Sequence, residues 1–274
     1  MNRNNFNNKN ALSFGEGRGE VLFTYDKTFE GLLCCVYFAF ETKETPNVLL
    51  EINDVKPLFL EKSFHIITEE NKAKRVWQGL EKKISKSACE MIVTVWLSEF
   101  VEVDLLIFRY IIKAFQSEKS IELNFGDQDV LRCAEIYKKV NQSRHKVIQF
   151  VRFQKTSDGI FFAPISPDYN VITLVADHFK NRYADQQWII YDTKRKFGLY
   201  YDLKNVTEIT FPDDVSPVNN SGKLKTEQLD EQEKLYQQMW KDYFKTMAIK
   251  ERINPKLQRQ NMPKRYWKYL TEMQ

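Results

Sequence analysis

Apolar positions recur along this chain with two different periods, and the switch between them divides it. Val21–Tyr25 is a short apolar run of strand type. Leu32, Leu33, Val36, Tyr37 and Phe40 then recur at helical spacing, with Thr28 placed to cap the first turn. Ser63–Thr68 alternates as a short strand. Helical stripes follow at about 69–83, 86–99, 104–117 and 127–149. Leu105, Phe108, Ile112 and Phe115 are spaced to form one packing face.

From Phe150 the pattern becomes that of strands. Phe150–Lys155 and Ile160–Ile165 flank Thr156-Ser157-Asp158-Gly159, a hairpin signal because Asp-Gly tolerates the positive φ of tight turns. A helix over about Val171–Arg182 is followed by three short strands, Trp188–Asp192, Phe197–Asp202 and Thr207–Phe211. Residues 212–224 are rich in Pro, Asn and Ser and read as a linker. Beyond them Leu229, Tyr236, Met239, Trp240, Tyr243 and Met247 line one side of a helix from Thr226 to about Met247. Pro255 and Pro263 are each placed to start a short helical piece. The fold class is therefore α+β: a helix-rich N-terminal part, an antiparallel sheet of hairpins, then a C-terminal helix and basic tail. The expected organisation is a flexible tail over 1–19, a body over 20–211 (helical 20–149, sheet 150–211), the linker 212–224, and a C-terminal element 225–274 packed on the body.

Composition narrows the class. Of 274 residues 43% are hydrophobic and 14% aromatic, enough for a packed core, so wholesale disorder is excluded. The cysteines 34, 35, 89 and 133 form no C-x-x-C pair, lie in apolar segments, and suit a reduced, cytoplasmic protein. The Asn-rich start has no apolar core of a signal peptide. The longest apolar run, Gly31–Phe40, is about half of the ~20 residues that span a bilayer, so a soluble protein with no membrane partner is expected. Gly15, Gly17 and Gly19 precede the first strand, whereas a dinucleotide loop follows one.

Charge matters through its distribution. The whole chain carries +4, from 41 Lys+Arg against 37 Asp+Glu. Lys250–Lys268 holds seven Lys/Arg and one acid, a local +6. Within it KRYWKY alternates cations with aromatics, a surface that can neutralise phosphates and stack on unpaired bases. Lys194-Arg195-Lys196 is a second cluster; Arg152 and Lys155 lie on the first hairpin strand, with Arg144, His145 and Lys146 just before it. The candidate nucleic-acid-binding residues are Arg144, His145, Arg152, Lys194, Arg195, Arg252, Lys256, Arg259, Lys264, Arg265 and Trp267.

Catalytic motifs are sparse. There is no H-E-x-x-H, no G-x-S-x-G and no phosphate-binding P-loop, which disfavours zinc proteases, serine hydrolases and P-loop NTPases. Pro167-Asp168 and Asp192-Thr193-Lys194 match the P-D…D-x-K pattern in which two carboxylates hold Mg²⁺ and a lysine helps activate water. Thr193–Lys196 also reads as a plain turn between strands, and that reading is favoured. His178 is a candidate general base. No metal ligand set and no cofactor is expected.

Four segments together carry a family resemblance: YDKTFEGLLCCVYFAF (25–40), IQFVRFQKTSDGIFFAPISPDYNVI (148–172), LVADHFKNRYADQQWIIYDTKRKFGLYYD (174–202) and ERINPKLQRQNMPKRYWKYLTEM (251–273). In order and spacing the chain resembles a bacterial family of unknown function associated with DNA metabolism and repair. Its matching positions include His145, Arg152, Phe153, Asp168, Asp177-His178-Phe179, Arg182, Asp192, Lys194 and Arg195. They continue with Asn254-Pro255, Arg259-Gln260 and Pro263–Trp267. Members commonly carry an acid two residues before the position of His145, where this chain has Ser143. The resemblance implies work on damaged or single-stranded DNA beside a radical-SAM DNA-repair protein or a uracil-DNA-glycosylase-like domain. Three functions follow in order of preference. The first is a DNA-binding accessory protein. The second is a DNA-processing enzyme, either a Mg-dependent nuclease through Asp168, Asp192 and Lys194 or a base-excising activity. The third is an interaction subunit that docks the partner enzyme without touching DNA.

Overall fold

The computed structural model describes residues 21–55, 61–212, 217–219 and 222–274; the glycine-rich start and parts of the Pro/Asn-rich linker, 213–216 and 220–221, lie outside the described residues. The chain divides into two compact units, 1–140 and 141–274.

In the first unit β1 (Val21–Tyr25) is buried at every position. It is the centre of a three-stranded sheet between β2 (Val48–Glu51) and β3 (Lys62–His65), and both neighbours run parallel to it. A central strand of a parallel sheet is covered on both faces, which is why VLFTY carries no charge and buries even Thr24. Helix α1 (Phe29–Thr42) connects β1 to β2 and starts as its sequence predicts, with the Thr28 hydroxyl accepting from the Gly31 N–H at 2.9 Å. Four further helices follow: α2 (Glu70–Glu81), α3 (Lys86–Trp96), α4 (Val103–Gln116) and α5 (Gln128–Phe150), the last running into the second unit. The expected helices are all present. β2 has no counterpart in the sequence reading, because four residues beside Pro46-Asn47 are too few to show a period.

The core of this unit is aromatic. Phe23 is fully buried and meets Phe38, Phe64 and Phe108 edge-on at centroid distances of 5.3, 5.7 and 6.5 Å. The four cysteines are buried and free. Burial pushes the Cys133 thiol up to about 12, so it stays protonated and behaves as a small apolar side chain. At the start of α5, Asp129 accepts from Arg109 and Lys113 at 2.8 Å each, and Asp127 accepts from Lys113 at 2.6 Å. Burial pulls both carboxyls upward, yet the bonds to these cations hold them below the ordinary aspartate value.

The second unit is built on a five-stranded sheet in the order β4 (Gln154–Lys155), β5 (Phe161–Ile165), β6 (Trp188–Asp192), β7 (Phe197–Tyr201) and β8 (Val206–Thr210). The Asp-Gly hairpin and the β6–β7–β8 meander are antiparallel as expected. Gly159 takes φ +85 in the hairpin turn. One pairing refines the expected architecture: β5 and β6 run parallel. Helix α6 (Ala176–Arg182) lies between them, and a crossover of that length returns the chain to the end from which it started. The first hairpin strand is shorter than the expected 150–155: α5 runs on to Phe150, residues 151–153 are irregular, and only Gln154–Lys155 pair with β5.

The outer edge of β4 is covered by the chain that leads into α7 (Glu233–Met247). Thr156 pairs with Leu229, the Asp230 N–H donates to the Lys155 carbonyl at 3.0 Å, and the Glu233 carboxylate accepts from the Lys155 N–H at 3.0 Å. These contacts hold residues 229–230 extended, so α7 begins at Glu233 and not at Thr226. The predicted apolar side of α7 is present but mostly solvent-exposed: Tyr236, Met239, Tyr243 and Met247 each keep half or more of their surface. The chain closes with α8 (Pro255–Asn261), capped by the Asn254 side chain, and α9 (Lys264–Trp267), which follows Pro263.

Two outcomes test this packing. Phe23→Ala should lower unfolding free energy by about 3–5 kcal/mol, read from denaturant midpoints. A folded-state carboxyl below its unfolded value stabilises above the unfolded pKa, and that contribution is lost as pH falls through the folded pKa. Stability should therefore hold from about pH 7 to 5 and fall in more acid solution, and Asp129→Asn should flatten that fall.

Candidate nucleic-acid interface

The turn between β6 and β7 organises the basic residues of the second unit. Asp192, the last residue of β6, is fully buried. Its Oδ1 accepts from the backbone N–H groups of Lys194 (2.9 Å) and Arg195 (3.3 Å), and its Oδ2 accepts from Arg195 Nη1 at 2.8 Å. An aspartate at this place folds the following residues back on itself. Lys196 closes the turn with φ +59.

The same turn is stitched to the end of β5. Thr193 donates its N–H and hydroxyl to the Ile165 carbonyl at 2.8 and 3.1 Å. Arg195 reaches the carbonyls of Pro167 (3.3 Å) and Asp168 (3.1 Å), and Lys194 Nζ lies 3.4 Å from the Asp168 carbonyl. The C-terminal segment joins this group. Arg265 pairs with the Asp168 carboxylate at 2.6 Å, and the Tyr269 hydroxyl meets the Thr193 hydroxyl at 3.0 Å.

Beneath the cations lies an apolar anchor. Tyr266 and Leu270 are buried against Phe150, with Met262, Trp267 and Met273 packed around them. The Phe150 and Tyr266 rings are 5.2 Å apart. Burial, helped by the Asp168 charge, pushes the Tyr266 phenol upward. Lys264 stands 5.9 Å over the Trp267 ring and Arg265 5.1 Å over the Tyr266 ring. KRYWKY thus turns its aromatics inward and its cations outward, whereas its sequence suggests rings free to stack on bases.

The structure brings Asp168, Asp192, Lys194, Arg195 and Arg265 together. Arg195 has a side chain only 10% exposed and is spent on holding the turn; Lys194, Lys264 and Arg265 are exposed. Trp267 is half-buried, with its indole N–H donated to the Met262 carbonyl at 2.9 Å, so it anchors the segment. Arg252, Lys256 and Arg259 are exposed on the stretch before Pro263. His145 is exposed and Arg144 half-buried on α5, one turn and more before Phe150. His178 is exposed on α6, edge-on to Phe179, and does not join the group around Asp168. Among the described residues no three His, Cys, Asp or Glu side chains converge to hold a metal ion.

Arg152 behaves differently from the other arginines. It forms a two-pronged ion pair with Glu272 (2.6 and 3.3 Å), and Glu272 also accepts from the Trp240 indole N–H at 2.9 Å. Burial pulls the Glu272 carboxyl upward, but these donors hold it below the ordinary glutamate value. The partners stand 120 positions apart in sequence, and no local pattern marks them. Lys223, Lys268 and Tyr269 were likewise not singled out by sequence, although the last two belong to the KRYWKY alternation.

The sequence signature of a family described as a domain of unknown function, DUF4130, matches residues 101–272. No curated protein gives a significant match. Among solved structures, a pGpG-specific phosphodiesterase, PggH from Vibrio cholerae, aligns over 67% of this chain and 81% of its own at 12% identity, with a TM-score of 0.28. A likeness that slight assigns neither fold nor activity. No helix among the described residues is long and apolar enough to cross a membrane.

Removing Arg195 leaves a fully buried carboxylate without its cation. Arg195→Met should therefore cost about 3–5 kcal/mol, measured as a drop in denaturant midpoint. An unchanged midpoint would contradict the role given to the turn.

Proposed function

We propose, from the premise that this chain belongs to the DUF4130 family, that it is a DNA-binding accessory protein for repair or modification of damaged or single-stranded DNA. The observation that carries this reading is the gathering of exposed Lys194, Lys264 and Arg265 around the Asp168 loop, held by an apolar anchor and continued by Arg252, Lys256 and Arg259. Cations fixed on a rigid base neutralise phosphates with little ordering cost and give sequence-independent affinity. Their aromatic neighbours face inward, so phosphate contact dominates over base stacking.

The partner enzyme of this reading is a radical-SAM repair protein or a glycosylase-like domain. The exposed apolar side of α7 supports such docking, since helices usually bury a face of this kind. A cleavage reading through Asp168, Asp192 and Lys194 draws no support from the site. Asp192 is buried with its oxygens on Arg195 and on turn amides, and Asp168 is paired with Arg265. His178 stands apart from both.

Binding to a single-stranded oligonucleotide should weaken with salt, with a slope of about −0.7 for each phosphate neutralised. Lys264→Gln and Arg259→Gln should each lower that slope by about one phosphate contact and leave the thermal midpoint unchanged. Arg265 is the poorer probe because its loss also frees Asp168. No detectable binding in 20–50 mM salt, measured by fluorescence anisotropy, would sink the proposal.

A further inference from the structure

Helix α7 keeps an apolar side in solvent while its other side is fixed within the second unit. Inward, Glu233 is buried and accepts from the Lys155 N–H at 3.0 Å and the Gln237 amide at 2.9 Å. The Trp240 indole N–H donates to Glu272 at 2.9 Å. Outward, Leu235, Tyr236, Met239, Tyr243 and Met247 are each 54–62% exposed. Leu235, Met239 and Tyr243 stand four positions apart and form one ridge along the helix, the kind that packs into the groove of a second helix.

The area of this side suits a partner of the same kind. Taking roughly 150–200 Å² for a whole side chain of this size, the five residues with Trp240 at their border expose roughly 600 Å² per copy. Two such faces pressed together remove roughly 1,200 Å² from water, where the range of stable, specific interfaces begins. Ile249, Ile253 and Leu257, each half or more exposed, extend the apolar path beyond the helix.

The charges beside the ridge decide the identity of the partner. Glu231, Lys234, Asp242 and Lys245 are all exposed and are arranged evenly about Gln238. An acid stands seven residues before it and a base seven after; a base stands four before it and an acid four after. Turned end for end, the series meets itself with every sign opposed. Two antiparallel copies of α7 related by a twofold axis near Gln238 therefore set Glu231 beside the second copy's Lys245, and Lys234 beside its Asp242, each pair occurring twice. Lys241 falls opposite the uncharged Leu235 in this register. A parallel pairing would set each charge against its own kind, and such flanking charges fix the orientation of paired helices. Within the chain the Asp242 carboxylate accepts from a neutral donor, the Gln238 amide, at 3.0 Å.

We infer that α7 pairs with α7 of a second copy of this chain, antiparallel and centred near Gln238, which makes the protein alone a twofold dimer. The inference goes beyond the accessory-protein reading, and the partner enzyme of that reading competes for the same face. The test measures the mass of the full chain by sedimentation over about 1–100 µM. Wild-type protein should be dimeric at the top of that range. Met239→Glu sets two carboxylates against each other near the axis and should leave a monomer. Lys234→Glu or Asp242→Lys alone turns two attractions into two repulsions and should weaken dimerisation about tenfold. An equimolar mixture of these two variants should regain wild-type affinity, because each charge then finds its opposite across the axis. The double reversal in one chain should do the same. Unchanged circular dichroism checks that these exposed substitutions leave the fold intact. A chain monomeric at about 100 µM overturns the pairing, and leaves DNA binding and the enzyme's claim on the face untouched. A dimer that survives Met239→Glu, or one indifferent to the charge reversals, overturns it equally.

Discussion

A carboxylate with no exposed surface ends strand β6, and most of what surrounds the proposed site depends on its being satisfied. Burying a charge is costly unless paired and hydrogen-bonded. Asp192 meets that demand with Arg195 and two backbone N–H groups. Because Arg195 must lie over the turn to reach it, the guanidinium is also placed against the carbonyls of Pro167 and Asp168. The constraint fixes the turn, the turn fixes the loop after β5, and that loop presents Asp168 to Arg265. A residue whose spacing fits a nuclease pattern therefore acts as the keystone of the turn that carries the proposed binding surface.

The anchoring of the C-terminal segment follows a different logic. Tyr266 and Leu270 are held by apolar burial against Phe150, and Glu272 by a buried pair with Arg152. The +6 of Lys250–Lys268 is thus carried partly on a fixed platform and partly on the exposed α8 that leads to it. A cationic surface of this kind loses less entropy on meeting a polyanion than a free basic tail would.

Legibility from sequence followed the range of the interactions. Helices and the β6–β8 meander were readable because capping, period and turn chemistry act within a few residues: Thr28 before α1, Asp158-Gly159 in the hairpin, Pro255 at the first position of α8. The parallel β5–β6 pairing was not readable, since the sequence shows two strands and a helix but not their direction. α7 starts later than its apolar spacing suggests, because residues 229–230 are drawn onto the sheet edge by Thr156 and Lys155. At the site, charge clustering found Lys194 and Arg265 but could not tell an exposed cation from Arg195, which a distant carbonyl pair and a buried acid consume. Arg152 with Glu272 lay beyond any local signal.

The parallel sheet of the first unit bears on how this chain is made. β1 pairs with β2 only after α1 has intervened, and with β3 only once residue 65 has emerged. No hairpin shelters its apolar run in the meantime. β6, β7 and β8 close by turns of a few residues and need no distant chain. Folding rate falls as contacts become less local, and uncovered strands are the segments most exposed to misassociation. The β6–β8 meander is thus locally wired, whereas the parallel sheet of the first unit must wait for its partners and is a point of kinetic vulnerability.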